Sequence, residues 1–216
     1  MKQFSALFRK EILLEWRQRY AIGGILLYVL STVFVVYISF QNVKPQAWNA
    51  LFWIISLFAS VNAVAKSFIQ ENSKRQLYYY SLANPIALIL SKIVYNTALL
   101  LGLSILAFGA MIVVAGNPII DAPVFALAIG LGSLGFSITF TFVSAIAAKA
   151  SQSGTLMAIL SFPVVIPILL ELIKLTTIAI GFAKDTSWLN DVYILLAIDG
   201  ILMGLVVVLF PYLWRD

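Results

Sequence analysis

The chain has 216 residues, of which 62% are hydrophobic and 11% are charged, and its net charge is +5. A soluble monomer of this composition would expose very large apolar patches, so the composition excludes an ordinary water-soluble domain and predicts an integral membrane protein. The chain contains no cysteine and no histidine. This excludes disulfides, thiolate zinc sites and imidazole ligation of haem, and leaves Met, Tyr or carboxylate side chains to contact a metal or haem.

The N-terminal stretch MKQFSALFRKEILLEWRQRY has an amphipathic pattern. Its main apolar residues recur every four positions: Phe4, Phe8, Ile12 and Trp16. Lys10, Arg17 and Gln18 lie on the opposite face of the same helix. A basic face opposite an apolar face is typical of a helix that lies in the membrane interface. We therefore expect residues 1–19 to form an interfacial helix; the alternative is a cytoplasmic helix packed on the bundle.

Six apolar runs follow, and each is long enough to cross a hydrocarbon core of ~30 Å. They cover about 20–40, 47–65, 93–115, 122–148, 154–170 and 192–214. Lys and Arg concentrate before the first run and between the second and third runs, and cytoplasmic flanks retain these residues. The sequence therefore predicts an all-α membrane protein with six transmembrane helices in a single domain, residues 1–216, and with both termini in the cytoplasm.

The stretch 66–92, KSFIQENSKRQLYYYSLANPIALILSK, is long for a connection between two helices. It contains three consecutive tyrosines, Tyr78, Tyr79 and Tyr80. Because tyrosine is enriched at protein interfaces, this cluster indicates a contact surface for another protein. Tyrosines that only anchor the chain at the membrane interface would give the same pattern.

Two prolines interrupt the fifth apolar run, in SFPVVIPILLE at 161–171. Pro163 and Pro167 each remove a backbone hydrogen bond and crowd the preceding turn, which predicts a helix bend. Carbonyls freed in this way need protein or water around them. We therefore expect the stripe Pro163, Pro167 and Glu171 to face inward or toward a second copy of the chain.

Beyond the prolines, residues 171–191 are expected to form an outer-face segment, as a short surface helix or a re-entrant piece. Glu171 and Lys174 are spaced to pair on one helix face, and this pair is interpreted as structural. Asp199 interrupts the sixth run. An ionisable residue within a membrane span is a functional candidate, because placing its charge there is costly. The alternative is that Asp199 locks the helix packing through a polar partner.

GLGSLG at 130–135 has the spacing of a dinucleotide-binding fingerprint, but it lies inside an apolar run without a preceding strand. We interpret its glycines as points where helices approach closely. The chain has no phosphate-binding G-x-x-x-x-G-K-[ST] motif and no recognisable pair of catalytic side chains. These absences predict that the chain is not an enzyme.

Several stretches, in order along the chain, resemble the CcmB family, the permease subunit of the haem-exporter ABC system of cytochrome c maturation. FRKEILLEWRQR at 8–19 resembles the family's opening, and LGSLGF at 131–136 with the double-proline stretch resembles its longest block. Landmarks of its middle cytoplasmic segment are matched by Phe68, Glu71, the run ending in Leu82, and Lys92. WLNDVYILLAIDGILMGLVVVLFPYL places Asp199 on the family's intramembrane Asp. The chain departs from the family at 73–76, where Gly-x-Leu-Glu is usual, and at Pro211, where an acid is usual.

The resemblance implies an ABC-2 exporter-type permease fold that pairs with a second copy and with two ATP-binding cassette subunits. Residues 66–92 would be the cytoplasmic coupling segment, with these ATPase contacts: Glu71, Arg75, Tyr78, Tyr79, Tyr80, Leu82 and Lys92. Further implied partners are a haem-handling membrane protein, an outer-face haem chaperone and the lipid bilayer, and not a nucleic acid. The implied location is the bacterial inner membrane in preference to the mitochondrial inner membrane.

The same resemblance implies that ATP hydrolysis by the partner drives haem export or release of a haem-loaded chaperone. Haem is then the candidate substrate, and the chain binds no cofactor of its own. Two alternatives stay open: a non-transporting membrane scaffold for the haem-delivery complex, and an ABC-2 type permease for another substrate. A stand-alone secondary transporter is disfavoured, because the double proline has no counterpart in the first three spans.

Overall fold

The computed structural model describes residues 2–17, 19–39, 43–65, 84–148, 153–182 and 187–215. These residues form helices and turns, without strands. The helices are α1 (Lys2–Arg17), α2 (Arg19–Ser39), α3 (Pro45–Val64), α4 (Pro85–Ala115), α5 (Ala122–Ala147), α6 (Ser153–Ala179) and α7 (Trp188–Arg215). The prediction of an all-helical protein is confirmed.

Five segments are long and apolar enough to cross a membrane: Pro45–Val64, Pro85–Ala115, Ala122–Ala147, Ile159–Ala179 and Trp188–Trp214. The apolar part of α2, Gly23–Ser39, is shorter among the residues described. Large apolar side chains cover the outside of the bundle; Val113 is 86% exposed and Leu27 is 68% exposed. Such a surface suits contact with lipid, so the chain is a multi-pass membrane protein.

Proline and capping residues set the starts of several helices. Pro45, Pro85 and Pro123 lie in the first turn of α3, α4 and α5, where a missing N–H costs nothing. Asn84 Oδ1 accepts a hydrogen bond from the N–H of Ile86 at 3.0 Å and thereby caps α4. This helix therefore starts at Pro85, not near residue 93, and residues 85–92 of the predicted coupling segment are helical.

Helix α5 is central, because α3, α4, α6 and α7 all pack against it. The main core is rich in aromatic rings, among them Trp48, Phe52, Trp53, Phe108 and Phe125. A second cluster lies where α1, the start of α4 and the ends of α5 and α7 meet. We call it the terminal-end core; its buried members are Leu88, Ile89, Ile93, Ile138, Ala145, Val206, Phe210 and Trp214. Leu202 packs against both clusters and joins them.

At the opposite end of the bundle, the turn before α5 is tied to the end of α6. The N–H groups of Ile120 and Asp121 both donate to the carbonyl of Ala179, at 3.0 and 2.9 Å. Gly181 has φ +77, a conformation that favours glycine, and a Cβ there would lie 2.6 Å from Ile120 Cδ1. The backbone conformation of residue 181 therefore favours glycine, and the tip of the exposed Ile120 side chain lies in the space that glycine leaves.

Helix α6 does not end near Glu171 as expected but continues to Ala179. The predicted outer-face segment 171–191 is therefore wrong in its first part: residues 171–179 extend α6, a turn follows, and 188–191 begin α7. The physical reason is that the polar side chains after Glu171 find partners on neighbouring helices. Thr176 bonds to α3 and Lys174 pairs with α7.

Candidate functional site

A buried ion pair joins α1 to the first turns of α4. Lys92 Nζ lies 3.2 Å from Glu11 Oε2, and the two residues are 1% and 8% exposed. Lys10 Nζ also lies 3.5 Å from Glu11 Oε1. Leu7, one turn before Glu11, packs against the terminal-end core. A desolvated charge pair set in apolar packing therefore holds α1 on the bundle.

This contact bears on both predictions for residues 1–19. Helix α1 packs on the bundle, while Ile12 and Leu13 remain exposed beside the exposed Arg9. Exposed apolar residues next to a basic one suit a membrane surface, so a helix can be packed on the bundle and interfacial at once. The interfacial position stays a prediction.

Six of the seven predicted ATPase contacts lie outside the described residues: Glu71, Arg75, Tyr78, Tyr79, Tyr80 and Leu82. The seventh, Lys92, lies about two turns into α4, and its amine contacts Glu11. Its role as a direct ATPase contact stays a prediction. What its geometry provides is a link between α1 and α4, the helix in which the predicted coupling segment ends.

Asp199 lies in the middle of α7, ~17 Å from the start of the helix, and it is 3% exposed. A Cβ built at Gly135 of α5 would lie 2.6 Å from Asp199 Oδ1 and 3.3 Å from Ile168 Cγ2 of α6. The carboxyl group therefore lies at a junction of three helices, in space that the missing side chain of Gly135 leaves. Neither carboxyl oxygen has a hydrogen-bond partner among the described residues.

The other glycines of GLGSLG separate into two kinds. A Cβ at Gly132 would lie 2.8 Å from Trp53 Cζ3 and 2.9 Å from Leu172 Cδ1, whereas a Cβ at Gly130 would meet nothing within 4 Å. The interpretation as points of close helix approach is thus confirmed for Gly132 and Gly135, and it is wrong for Gly130. Tight contacts of this kind position helices in membranes.

Pro163 and Pro167 are both exposed, as are Phe162 and Ile166. Their rings face away from the bundle, so of the two predicted directions of this stripe, inward or toward a second copy, only the second stays open for the prolines. Both prolines lie within the uninterrupted helix α6. A bend there, and a second copy facing the stripe, stay predictions.

Glu171, Lys174 and Asp191 form an ion cluster between α6 and α7. Lys174 Nζ lies 3.4 Å from Glu171 Oε1, so the predicted pair is confirmed, and 2.6 Å from Asp191 Oδ1. Asp191 is 1% exposed and lies in the first turn of α7. The Glu171–Lys174 pair is therefore part of a three-residue ion cluster that holds the start of α7 against α6.

A buried polar network joins α3 to α6. The Thr176 hydroxyl bonds to Asn49 Oδ1 at 2.7 Å and accepts a bond from Trp53 Nε1 at 3.0 Å. Asn49 Nδ2 donates to the carbonyl of Ile173 at 3.0 Å. Each partner is desolvated, so each bond is needed to offset the burial of its polar groups.

Replacing Thr176 by Val should loosen the contact between α3 and α6. The change keeps the side-chain shape but removes the hydroxyl that serves both Asn49 and Trp53, so we expect a loss of about 1–2 kcal/mol. Thr97→Val is the matched control, because the Thr97 hydroxyl donates to the carbonyl of Ile93 in its own helix. Unfolding of the purified chain in mixed micelles measures both. Equal effects of the two changes would contradict the importance of this network.

The sequence alone did not reveal the residues that make these hydrogen bonds and ion pairs between helices. Asn49, Thr176 and Asp191 carried one weak signal, namely that they are polar residues within or beside apolar runs. Their partners lie 127 residues away for Asn49 and Thr176, and on a separate helix for Asp191. Spacing along one helix cannot predict such pairs.

The apolar helices, the buried polar ties and the intramembrane Asp199 define a polytopic helical membrane protein. A search of curated protein sequences returned no match. The family model described as CcmB protein matches residues 2–212. The chain therefore belongs to the CcmB family, a membrane component of the haem-export system for cytochrome c maturation. That system is of the ABC type and implies a partner ATPase and other Ccm proteins.

Proposed function

We propose that this chain is the non-catalytic permease subunit of the ABC transporter that acts in haem delivery for cytochrome c maturation. It would convert ATP hydrolysis by a partner subunit into haem export or release of a haem-loaded chaperone. The observation that carries the proposal is family membership over nearly the whole chain. The position of the buried ion pair between α1 and α4 supports it.

The proposed architecture has six transmembrane helices, α2 to α7, in an ABC-2 exporter-type permease. The five long apolar segments support this count, and α2 would be the sixth helix. An even number of crossings returns the chain to its starting side. The terminal-end core supports this, since it gathers Leu7 near one terminus and Trp214 near the other. Under the positive-inside rule, that side is the cytoplasm, and the proposed membrane is the bacterial inner membrane.

The coupling path would run from the segment before Asn84 into α4. Helix α4 begins at Pro85, and Lys92 in its first turns holds Glu11 of α1. A force on the segment would therefore act on two helices together. In this proposal α1 is part of the coupling apparatus as well as a membrane-surface helix.

Haem is the proposed substrate of the system, and the chain itself would bind no cofactor. A chain without histidine offers haem only weaker ligands, such as methionine or tyrosine. Met111 and Met157 are both buried in the main core, where they fill apolar space. This placement favours mechanical coupling over transit of ligated haem. The proposed complex contains a second copy of the chain, two ATPase subunits, a haem-handling membrane protein and an outer-face chaperone.

The experiment for coupling is the double variant Arg75→Glu with Tyr79→Ala. It should weaken co-purification with the ATPase and abolish stimulation of ATP hydrolysis, because charge and aromatic contact area are removed together. Lys44→Glu with Tyr193→Ala is the matched control, since it makes the same kinds of change at the opposite end of the bundle. If ATPase binding and stimulation survive the first double variant, residues 66–92 are not the coupling segment.

The scaffold alternative is separated by a different measurement. Cytochrome c maturation is followed in cells whose ATPase subunit assembles but cannot hydrolyse ATP. A coupling permease needs turnover, so maturation should stop. A scaffold that only anchors its partners would let maturation continue.

A further inference from the structure

Asp199 is a buried carboxyl group that the proposed coupling path does not use. We propose that Asp199 is a binding site for a monovalent cation, a proton or Na⁺, in the middle of the membrane. The two ions share the relevant chemistry, which is one positive charge on a carboxylate oxygen. This site does not depend on the partners or on the substrate of the protein.

The first step is that Asp199 lacks a partner among the described residues. Neither carboxyl oxygen makes a hydrogen bond there, although only 3% of the surface of the residue is exposed. A carboxylate in the hydrocarbon region is normally paired with a cation or a donor, because its charge is otherwise costly. A bound cation or proton must therefore compensate the negative charge of Asp199.

The second step is that the helices around Asp199 supply no counter-charge. Helix α5, which faces it through Gly135, contains no Asp, Glu, Lys, Arg or Tyr. The titratable residues of the other helices packed on α7, and of α7 itself, are Lys92, Tyr95, Glu171, Lys174, Asp191, Tyr193, Tyr212 and Arg215. Of the three cations, Lys92 pairs with Glu11, and Lys174 pairs with Asp191 and Glu171. Arg215 lies ~24 Å further along α7.

The third step is that a further unpartnered oxygen atom lies on the same face of α5. The missing side chain of Gly135 leaves the space that the carboxyl group occupies. Thr139 lies one turn further along the same face of α5, and its buried hydroxyl has no hydrogen-bond partner in the described part of the chain. A proton needs only the carboxylate, whereas Na⁺ as a hard cation prefers several oxygen ligands. A proton therefore fits this junction of α5, α6 and α7 as it stands, whereas Na⁺ would also need the Thr139 oxygen as a ligand.

The test is infrared difference spectroscopy of the full-length chain in lipid nanodiscs, comparing the wild type with Asp199→Asn. Spectra are recorded in choline chloride and again after addition of NaCl, because choline, a quaternary ammonium ion, cannot replace a hard cation on oxygen ligands. If a proton is bound, an acid C=O band should be present in the wild type, absent from D199N and unchanged by Na⁺. If Na⁺ is bound, NaCl should convert that band into carboxylate bands.

Asp191→Asn provides the matched control on the same helix. Asp191 is equally buried but is paired with Lys174, so it should contribute carboxylate bands that ignore Na⁺. Isotopic labelling of aspartate separates the aspartate bands from those of glutamate, and the D199N and D191N spectra then assign them to single residues. If Asp199 gives carboxylate bands in choline that NaCl does not alter, the proposal is overturned. This result would leave the coupling proposal intact, since the measurement needs neither ATPase nor haem.

Discussion

Replacing Glu11 by Ala should cost about 3 kcal/mol of stability, because removing one partner of a buried ion pair weakens the compensation of the other charge in a desolvated site. The variant leaves the amine of Lys92 without the carboxylate at 3.2 Å, deep between α1 and α4. We expect α1 to detach from the bundle before the rest of the chain unfolds. Unfolding in mixed micelles gives the free energy, and protease cleavage within α1 reports its release.

Two further variants make this prediction specific. Arg9→Ala changes an exposed charge two positions away on α1 and should alter stability by less than about 0.5 kcal/mol. Glu11→Leu with Lys92→Met replaces the pair by apolar groups and should recover most of the loss. If the double variant is no more stable than Glu11→Ala, the cost does not come from the lost compensation of the Lys92 charge.

Gly132→Ala should destabilise the bundle by about 1–3 kcal/mol, because overpacking forces neighbouring groups from their places. The new methyl group would lie 2.8 Å from Trp53 Cζ3 and 2.9 Å from Leu172 Cδ1, so α3 and α6 must both yield. Gly135→Ala should act in the same direction by pushing the Asp199 carboxyl from its place. The free energy of unfolding in mixed micelles measures each change.

Gly130→Ala is the internal control, because a Cβ there meets nothing within 4 Å. The substitution should be neutral or stabilising by up to about 1 kcal/mol, since Ala favours a helix over Gly. The three glycines belong to one motif in one helix, so helix propensity is the same for all of them. Equal effects at all three positions would contradict the packing argument.

The sequence predicted where helices lie better than where they end. Apolar runs locate spans reliably, because the hydrocarbon core admits few other structures. The predicted third run began just after Lys92 and the fifth ended just before Glu171, because a charged residue was taken as the boundary of each run. The helices continue past both charges, since Glu11 pairs with Lys92 and Lys174 of the α6 extension pairs with Asp191. A hydropathy pattern cannot reveal which residues pair with these charges, because the partners lie on other helices.

The candidate site was likewise predictable in part: the sequence selected the residue but not its surroundings. Charge within an apolar run was enough to select Asp199. Its surroundings were not predictable, because they depend on Gly135 and Ile168 from two other helices. The close approach at Gly132 was predicted from residue size, but size alone could not separate it from Gly130. Three-dimensional packing decides which small residue a neighbour contacts.

The turn that joins α4 to α5 is anchored where the Ala179 carbonyl accepts two N–H groups and Ile120 fits against Gly181. Helix α4 reaches this anchor after 31 residues, or ~45 Å. A force applied at Asn84 should therefore rotate α4 about the anchored turn at its far end. The largest displacement would then occur at the end of α4 that contains Lys92, and α1 would move together with it.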